Sequence, residues 1–362
     1  FECQDAIGCV TVHPDEPLKI GIFQALTGGP EIIGKTQLNT MKLVFNQHQN
    51  QLLGHPIELL VNDEKCSSEG GRISAIRYTA DPKVIAVLGP TCSGAAVAAT
   101  KIISDAGMVI ISGAATSPYL TSIGNVKGKD WQPGFYRTIS NAANMGKAAA
   151  IYAVKVKKIK KAAYIHDGDA FTRGNAEFFA QTIKQLGSEI VFEGVVNKGE
   201  TNLTPILTAV KNSGADFLFF PIFMPEAMYL VKQSQSISSK QFILMGLVVI
   251  LNDKFIKFTD KEGVGTLIVS PAPPVNSVKH LQLIEDYKML YQEVPAAKLF
   301  EYAYDAANIL YQVLGEVAVK ESDGTLHFGR QLLRDTLYGI KDYEGVTGNV
   351  ISNQFGDMGA PY

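Results

Sequence analysis

Short apolar runs alternate with longer stretches of helical periodicity along most of the chain. Leu18-Lys19-Ile20-Gly21-Ile22-Phe23 reads as a first strand, followed by the Gly/Pro-rich turn Leu26–Pro30 and a helical pattern over Ile33–Gln49. Strand-like runs follow at Ile57–Val61, Val84–Leu88, Met108–Ile111 and Phe135–Thr138, with helical patterns over Ser68–Ala80 and Ala95–Ala106 between them. Strands alternating with helices predict a parallel sheet with right-handed crossovers.

The pattern then restarts. Helices are expected at Asn141–Val154, Asn175–Leu186, Pro205–Ser213 and Pro225–Gln235. Strands are expected at Lys161–Ile165, Ile190–Val195, Ala215–Pro221, Phe242–Met245 and Thr266–Val269. Helices over Val278–Tyr291, Leu299–Val319 and Gly329–Leu337 and a strand-like Gly348–Ser352 close the chain. The expected fold is α/β: two Rossmann-like lobes with parallel sheets, joined by three crossovers near 139–141, 270–274 and 328–331. Residues 1–139 plus 274–328 would form an N-terminal lobe, and 140–273 plus 329–362 a C-terminal lobe. Pro271-Ala272-Pro273-Pro274 reads as a stiff strand exit at the middle crossover. Open α/β sheets bind ligands at the carboxyl ends of their strands. A ligand cleft between the lobes is therefore expected, lined by the loops at 26–33, 91–95, 114–118, 166–173, 222–225 and 246–250.

Composition narrows the classes. The 362 residues suit about two domains. A hydrophobic content of 46% with 19% charged residues permits a large core and argues against disorder. The net charge of -2 makes no case for nucleic acid or an anionic membrane surface. No apolar run reaches the roughly 18 residues of a membrane span, and no signal-peptide pattern is evident, so a mature or trimmed chain is expected. The 4 cysteines, at positions 3, 9, 66 and 92, allow three connectivities. Local pairing, Cys3–Cys9 and Cys66–Cys92, is the simplest; four free buried thiols are the alternative. Cys66 and Cys92 each follow a strand-like run, and neighbouring parallel strands would bring those ends together. Disulfides imply an oxidising compartment. Zinc is not expected, because no C-x-x-C and no histidine at ligand spacing accompanies the cysteines.

The candidate chemistry lies in two loops, Gly89-Pro90-Thr91-Cys92-Ser93-Gly94-Ala95 and Ser112-Gly113-Ala114-Ala115-Thr116-Ser117-Pro118. Small hydroxyl residues with free backbone N–H groups at strand-to-helix turns suit a carboxylate or phosphate; ordinary helix N-caps use the same residue types. No acid/base pair, nucleophile triad or metal cluster accompanies them, so neither an enzyme nor a cofactor is expected. His166-Asp167 with Asp169 is too sparse for metal or acid/base chemistry. The basic run Lys155–Lys161 reads as a solvated helix end.

Taken in order, Ala25-Leu26-Thr27-Gly28, Gly54-His55-Pro56-Ile57-Glu58-Leu59, Asn62-Asp63-Glu64, Gly89-Pro90-Thr91-Cys92-Ser93, Ala114-Ala115-Thr116-Ser117-Pro118, Ile165-His166-Asp167, Gly214-Ala215-Asp216 and Ala303-Tyr304-Asp305-Ala306 carry a resemblance. The chain resembles the type I periplasmic solute-binding proteins of ABC importers, in the branched-chain amino acid group, from Ile20 to about Asp357. Cys66–Cys92 matches the disulfide typical of the leucine-binding members. The resemblance implies that Ser93 and Thr116 hold a ligand carboxylate, helped by backbone N–H groups around Gly94 and Ala115. It also implies that the Ala114 carbonyl faces the ligand, that Phe171 and Phe223 stand where covering tyrosines usually sit, and that Ile32 or Ile33 fills the first loop. The acidic residue that usually follows Met245-Gly246 is absent: Leu247-Val248-Val249-Ile250-Leu251 stands there, with Val248 as the expected wall.

A buried ammonium without a carboxylate partner costs several kcal/mol. The site should therefore favour an apolar carboxylate without an amine, such as a 2-oxo acid or an aryl acid. Asp305, Asp169 or Glu226 could rescue an ordinary hydrophobic amino acid, and a ligand sensor for a signalling partner is the further alternative. The resemblance implies hinge closure, an ABC permease as partner, a monomer peripheral to the membrane, and a periplasmic or extracellular location, with lipid anchoring left open. Cys3 follows Phe1-Glu2, which lacks the small residues of a lipidation site, so pairing with Cys9 is expected.

Overall fold

A computed structural model describes residues 1–237, 242–271 and 277–359. The chain divides into two compact units, Phe1–Ser140 with Pro274–Tyr362, and Asn141–Pro273.

The first unit is built on a sheet of six strands in the order Gln51–Leu52, His55–Asp63, Leu18–Gln24, Val84–Leu88, Val109–Ser112, Phe135–Arg137. Only the Gln51–Leu52 pairing is antiparallel. Val84–Leu88 is buried at every position, as a strand covered on both faces requires. One face packs Ile20, Ile22 and Leu88 against the Glu31–Gln47 and Phe300–Val317 helices through Met41, Val44, Ala306 and Leu310. The other packs Phe23 and Val87 against Ser68–Thr79 and Ser93–Asp105 through Ala75, Tyr78, Ala96 and Ile103. These two helices touch at Gly71, where a Cβ would sit 2.3 Å from the Ala95 carbonyl oxygen. Glycine permits that approach.

The second unit repeats the plan. Its five strands, all parallel, run in the order Glu189–Val195, Lys161–His166, Phe217–Phe219, Ile243–Leu247, Leu267–Val269. Phe179 of the Ala170–Gln185 helix stacks near Phe217 and Phe219, with ring centroids 6.0 and 4.7 Å away. The helix expected from Asn141 runs Ala143–Ile151 and ends in a π turn, Tyr152–Val156, ahead of the basic run. An unexpected helix, Asp253–Thr259, is capped by the Asn252 side chain.

Three expectations are corrected. Residues 329–359 belong to the first unit, not to the second lobe. Leu326–Gly329 pairs with Cys9–Val12, an N-terminal strand without a clear sequence signal, and with Val319–Lys320. The apolar face of the Arg330–Tyr338 helix, Leu333 and Leu337, then joins the first unit's core. Hence the chain does not cross near 328–331, and it passes between units twice. The proline-rich exit lies, from Ala272 on, outside the described residues. Third, the two disulfides are the expected Cys3–Cys9 and Cys66–Cys92, with Cα atoms 6.0 and 5.2 Å apart, but the reason expected for the second does not hold. The strands preceding Cys66 and Cys92 are not neighbours: Leu18–Gln24 lies between them. The bridge joins two loops across the carboxyl end of the central strand.

Candidate functional site

In both units the strand order places the first and third strands side by side, with the second on the outer flank of the first. Their connections leave in opposite directions, which opens a crevice at the carboxyl ends. In the first unit the loops at this point follow Gln24 and Leu88; in the second they follow His166 and Phe219.

The first-unit loops are tied together by hydroxyls. The helix there begins at Ser93, two residues earlier than the apolar pattern suggested, with Cys92 as the residue before it and no side-chain cap. Buried Ser93 is thus not a cap. Its Oγ accepts the Ser117 N–H at 3.0 Å and joins the two loops. Ser112 Oγ accepts the Ala114 and Ala115 N–H groups at 3.1 and 2.8 Å and donates to the Pro90 carbonyl at 2.7 Å. The Gly94 carbonyl accepts from Ser68 Oγ at 3.4 Å. Thr116 Oγ1 and Ser117 Oγ differ from these hydroxyls: both are buried with no hydrogen-bond partner among the described residues. Buried hydroxyls are nearly always paired, so two orphans in one loop mark a place where a ligand acceptor would complete the set. Ile33 is buried in the first turn of Glu31–Gln47. One turn on, on the same helix face, Gln37 Nε2 donates to the Gly113 and Leu299 carbonyls at 3.2 and 2.9 Å.

The second-unit loops are apolar at their tips. The Asp169 side chain accepts the Phe171 N–H at 2.8 Å and starts the helix at Ala170, which places Phe171 in the first turn. Phe171 and Phe223 are both buried, with ring centroids 5.7 Å apart. Val248 opens a 3₁₀ turn, Val248–Ile250, at the carboxyl end of Ile243–Leu247, and the whole turn is buried. Asp167 accepts from the Asp169 N–H at 3.1 Å and the Thr172 hydroxyl at 2.6 Å. The Glu226 carboxylate accepts from the Gly199 N–H, and burial pushes its pKa above the ordinary range. Burial lowers the His166 pKa, and its Nδ1 accepts the Gly168 N–H at 3.0 Å.

A family profile described as periplasmic binding protein matches residues 17–362. The chain belongs to the periplasmic binding protein family. An amino acid binding protein of Pseudomonas aeruginosa is 32% identical over 181 residues, which is 50% of this chain and 46% of that relative; the chain thus spans under half of that protein. The Leu/Ile/Val-binding protein BraC3 of Rhizobium johnstonii is 24% identical over 95% of this chain and 91% of its own length. Among solved structures, the leucine binding protein LivK of Thermotoga maritima superposes with a TM-score of 0.82 at 20% identity, covering 94% of this chain and 92% of its own. LivJ of Streptococcus pneumoniae in complex with isoleucine reaches 0.79 at 21%, covering 95% and 94%. A solute binding protein of R. palustris in complex with benzoate reaches 0.78 at 15%, covering 94% and 90%. At these identities the structures establish the type I periplasmic binding fold.

Asp305 is engaged within the first unit. It is fully buried, and its carboxylate accepts the Val346 and Thr347 N–H groups at 2.9 and 3.0 Å and the Thr347 hydroxyl at 2.5 Å. Its oxygens thus fasten the turn of the Tyr343–Gly345/Gly348–Val350 hairpin to the Phe300–Val317 helix. Burial outweighs those bonds and lifts its pKa to about 6. One residue of this periplasmic binding protein escaped the sequence reading altogether. Arg137 is fully buried beneath the Ser112–Pro118 loop and donates to the Ala115 and Ser117 carbonyls. Its only signal was a charged residue inside the apolar run Phe135-Tyr136-Arg137. Among the described residues no helix is long and apolar enough to cross a membrane, and no His/Cys/Asp/Glu cluster could hold a metal ion.

Proposed function

We propose that the chain is the extracytoplasmic binding component of a branched-chain amino acid-type ABC importer and carries a small apolar carboxylate, a 2-oxo acid or an aryl acid. The Ser93–Thr116 loops of the first unit take the carboxylate, and Phe171, Phe223 and Val248 of the second take the apolar body. A ligand held by both sets draws the units together, and a permease recognises the closed form.

The observation that supports this reading is the commitment of Asp169, Glu226 and Asp305 to the protein's own donors. Asp169 caps a helix, Glu226 accepts from Gly199 and is favoured in its neutral form by burial, and Asp305 holds a hairpin. A ligand ammonium placed against the buried Val248–Ile250 turn would lack a counter-charge, which costs several kcal/mol. A carboxylate placed against Thr116 gains a hydrogen bond that its hydroxyl otherwise lacks.

Matched pairs test the proposal: leucine against 4-methyl-2-oxopentanoate, and phenylalanine against phenylpyruvate and benzoate, followed by thermal shift and calorimetry. A ligand that binds only the folded state raises the melting temperature with its occupancy. Stabilisation by the oxo and aryl acids but not by the amino acids is expected. The reverse result would return the site to hydrophobic amino acids and locate an ammonium partner among Asp167, Asp169 and Glu226.

A further inference from the structure

We propose that Arg137, clamped by Asp357 of the C-terminal segment, is the positioning residue of the carboxylate loop: it orients the 115–117 backbone and supplies positive charge behind it. The inference rests on the carboxylate reading above.

The guanidinium has no exposed surface. Its Nη1 donates to the Ala115 carbonyl at 3.2 Å and the Ser117 carbonyl at 2.7 Å, so it grips the backbone on either side of Thr116. Its Nη2 donates to Thr121 Oγ1. In a trans peptide the N–H points opposite to the C=O. With the Ala115 carbonyl turned to Arg137, the Thr116 N–H faces the other way. The Ser117 carbonyl precedes Pro118, which has no N–H, so the Thr116 N–H is the one donor that this grip turns away from the cation, toward where an anion would be met.

The counter-charge is placed asymmetrically. Arg137 Nε pairs with Asp357 Oδ1 at 2.6 Å, but the Asp357 side chain is 17% exposed while that of Arg137 is 0%. Asp357 also accepts from Thr121 Oγ1 at 3.0 Å and Ser122 Oγ at 3.4 Å. Water and these hydroxyls screen the carboxylate more than the buried cation, leaving net positive potential on the loop side.

Asp357 owes its position to the backbone around it. The Arg137 N–H donates to the Gly356 carbonyl at 3.0 Å and the Met358 N–H to the Arg137 carbonyl at 2.8 Å. The Trp131 indole N–H bonds the Phe355 carbonyl at 3.1 Å. At Gly356 a Cβ would fall 2.0 Å from the Phe135 carbonyl oxygen, so only glycine lets the segment approach this strand. Residues 355–358 are thus coupled to the 115–117 loop.

Three variants separate positioning from mere support: Asp357→Asn, Arg137→Met, and the two combined. Benzoate and 4-methyl-2-oxopentanoate affinities are measured by calorimetry, and melting temperatures without ligand. Asp357→Asn should melt lower yet bind the carboxylates as tightly as the natural chain or more so, because the cation is then less neutralised. The double variant should melt above Arg137→Met, since no lone buried charge remains, and still bind about tenfold more weakly or worse than the natural chain. Affinities that simply follow melting temperature across the three variants, or that do not change, would overturn the proposal. If the unaltered protein binds neither probe, the carboxylate reading itself fails and this inference falls with it.

Discussion

Thr116 and Ser93 carry hydroxyls in one loop cluster but in opposite hydrogen-bond states, and their variants should behave differently. Thr116→Val removes an orphaned buried hydroxyl. Stability should hold or rise by up to about 1 kcal/mol while carboxylate affinity falls about tenfold, read by melting and calorimetry on one sample. Ser93→Ala strands the Ser117 N–H and should cost about 1–3 kcal/mol of stability as well as affinity. A Thr116→Val variant that melts lower and binds normally would remove Thr116 from the site. Asp305 makes a pH prediction. Its carboxyl is held near 6 in the fold against an ordinary 3.8, so the native state holds the proton more tightly than the unfolded one. The stability it contributes is full below about pH 3.8 and is lost as pH rises through 6. The natural chain should therefore lose of order 2–3 kcal/mol relative to Asp305→Asn between those limits, followed by urea denaturation at stepped pH. A pH-independent difference would show that Asp305 stays ionised throughout.

Elements were legible wherever period and length agreed. Val84–Leu88 and Val278–Tyr291 have the bounds their hydrophobic patterns suggested. Other helix starts were not legible to the residue, because caps act from outside the apolar period: Asp169 moves a start from 175 to 170, and with it Phe171 onto the first turn. Very short strands such as Val319–Lys320 carry no readable alternation, and their pairing supplies what their sequence lacks. Two element-scale tests follow from this packing. Gly71→Ala pushes a methyl toward the Ala95 carbonyl and should destabilise by about 1–3 kcal/mol through parting of two helices. Reduction of Cys66–Cys92, whose partners lie 26 residues apart, should cost about 2–4 kcal/mol. It should also weaken ligand binding, since Cys92 directly precedes the helix that carries Ser93. Unchanged melting in reductant, with thiol release verified, would contradict the bridge's part in stability.

For the whole molecule, the proposed closure predicts a fall in the radius of gyration from small-angle scattering when a bound carboxylate saturates the protein. Binding without that change would argue against closure. Two repeats of one α/β plan and the hydroxyl loops at strand ends were determined by the sequence alone, because each rests on local periodicity or on residue chemistry that survives in any context. The assignment of residues 329–359 to the first unit, the bridge spanning a central strand, the hydrogen bonding of Asp305 to a hairpin and the buried Arg137–Asp357 pair were decided only by the tertiary structure. Each joins groups far apart in the chain. Which donors and charges meet there depends on strand order and burial, and no local pattern encodes either.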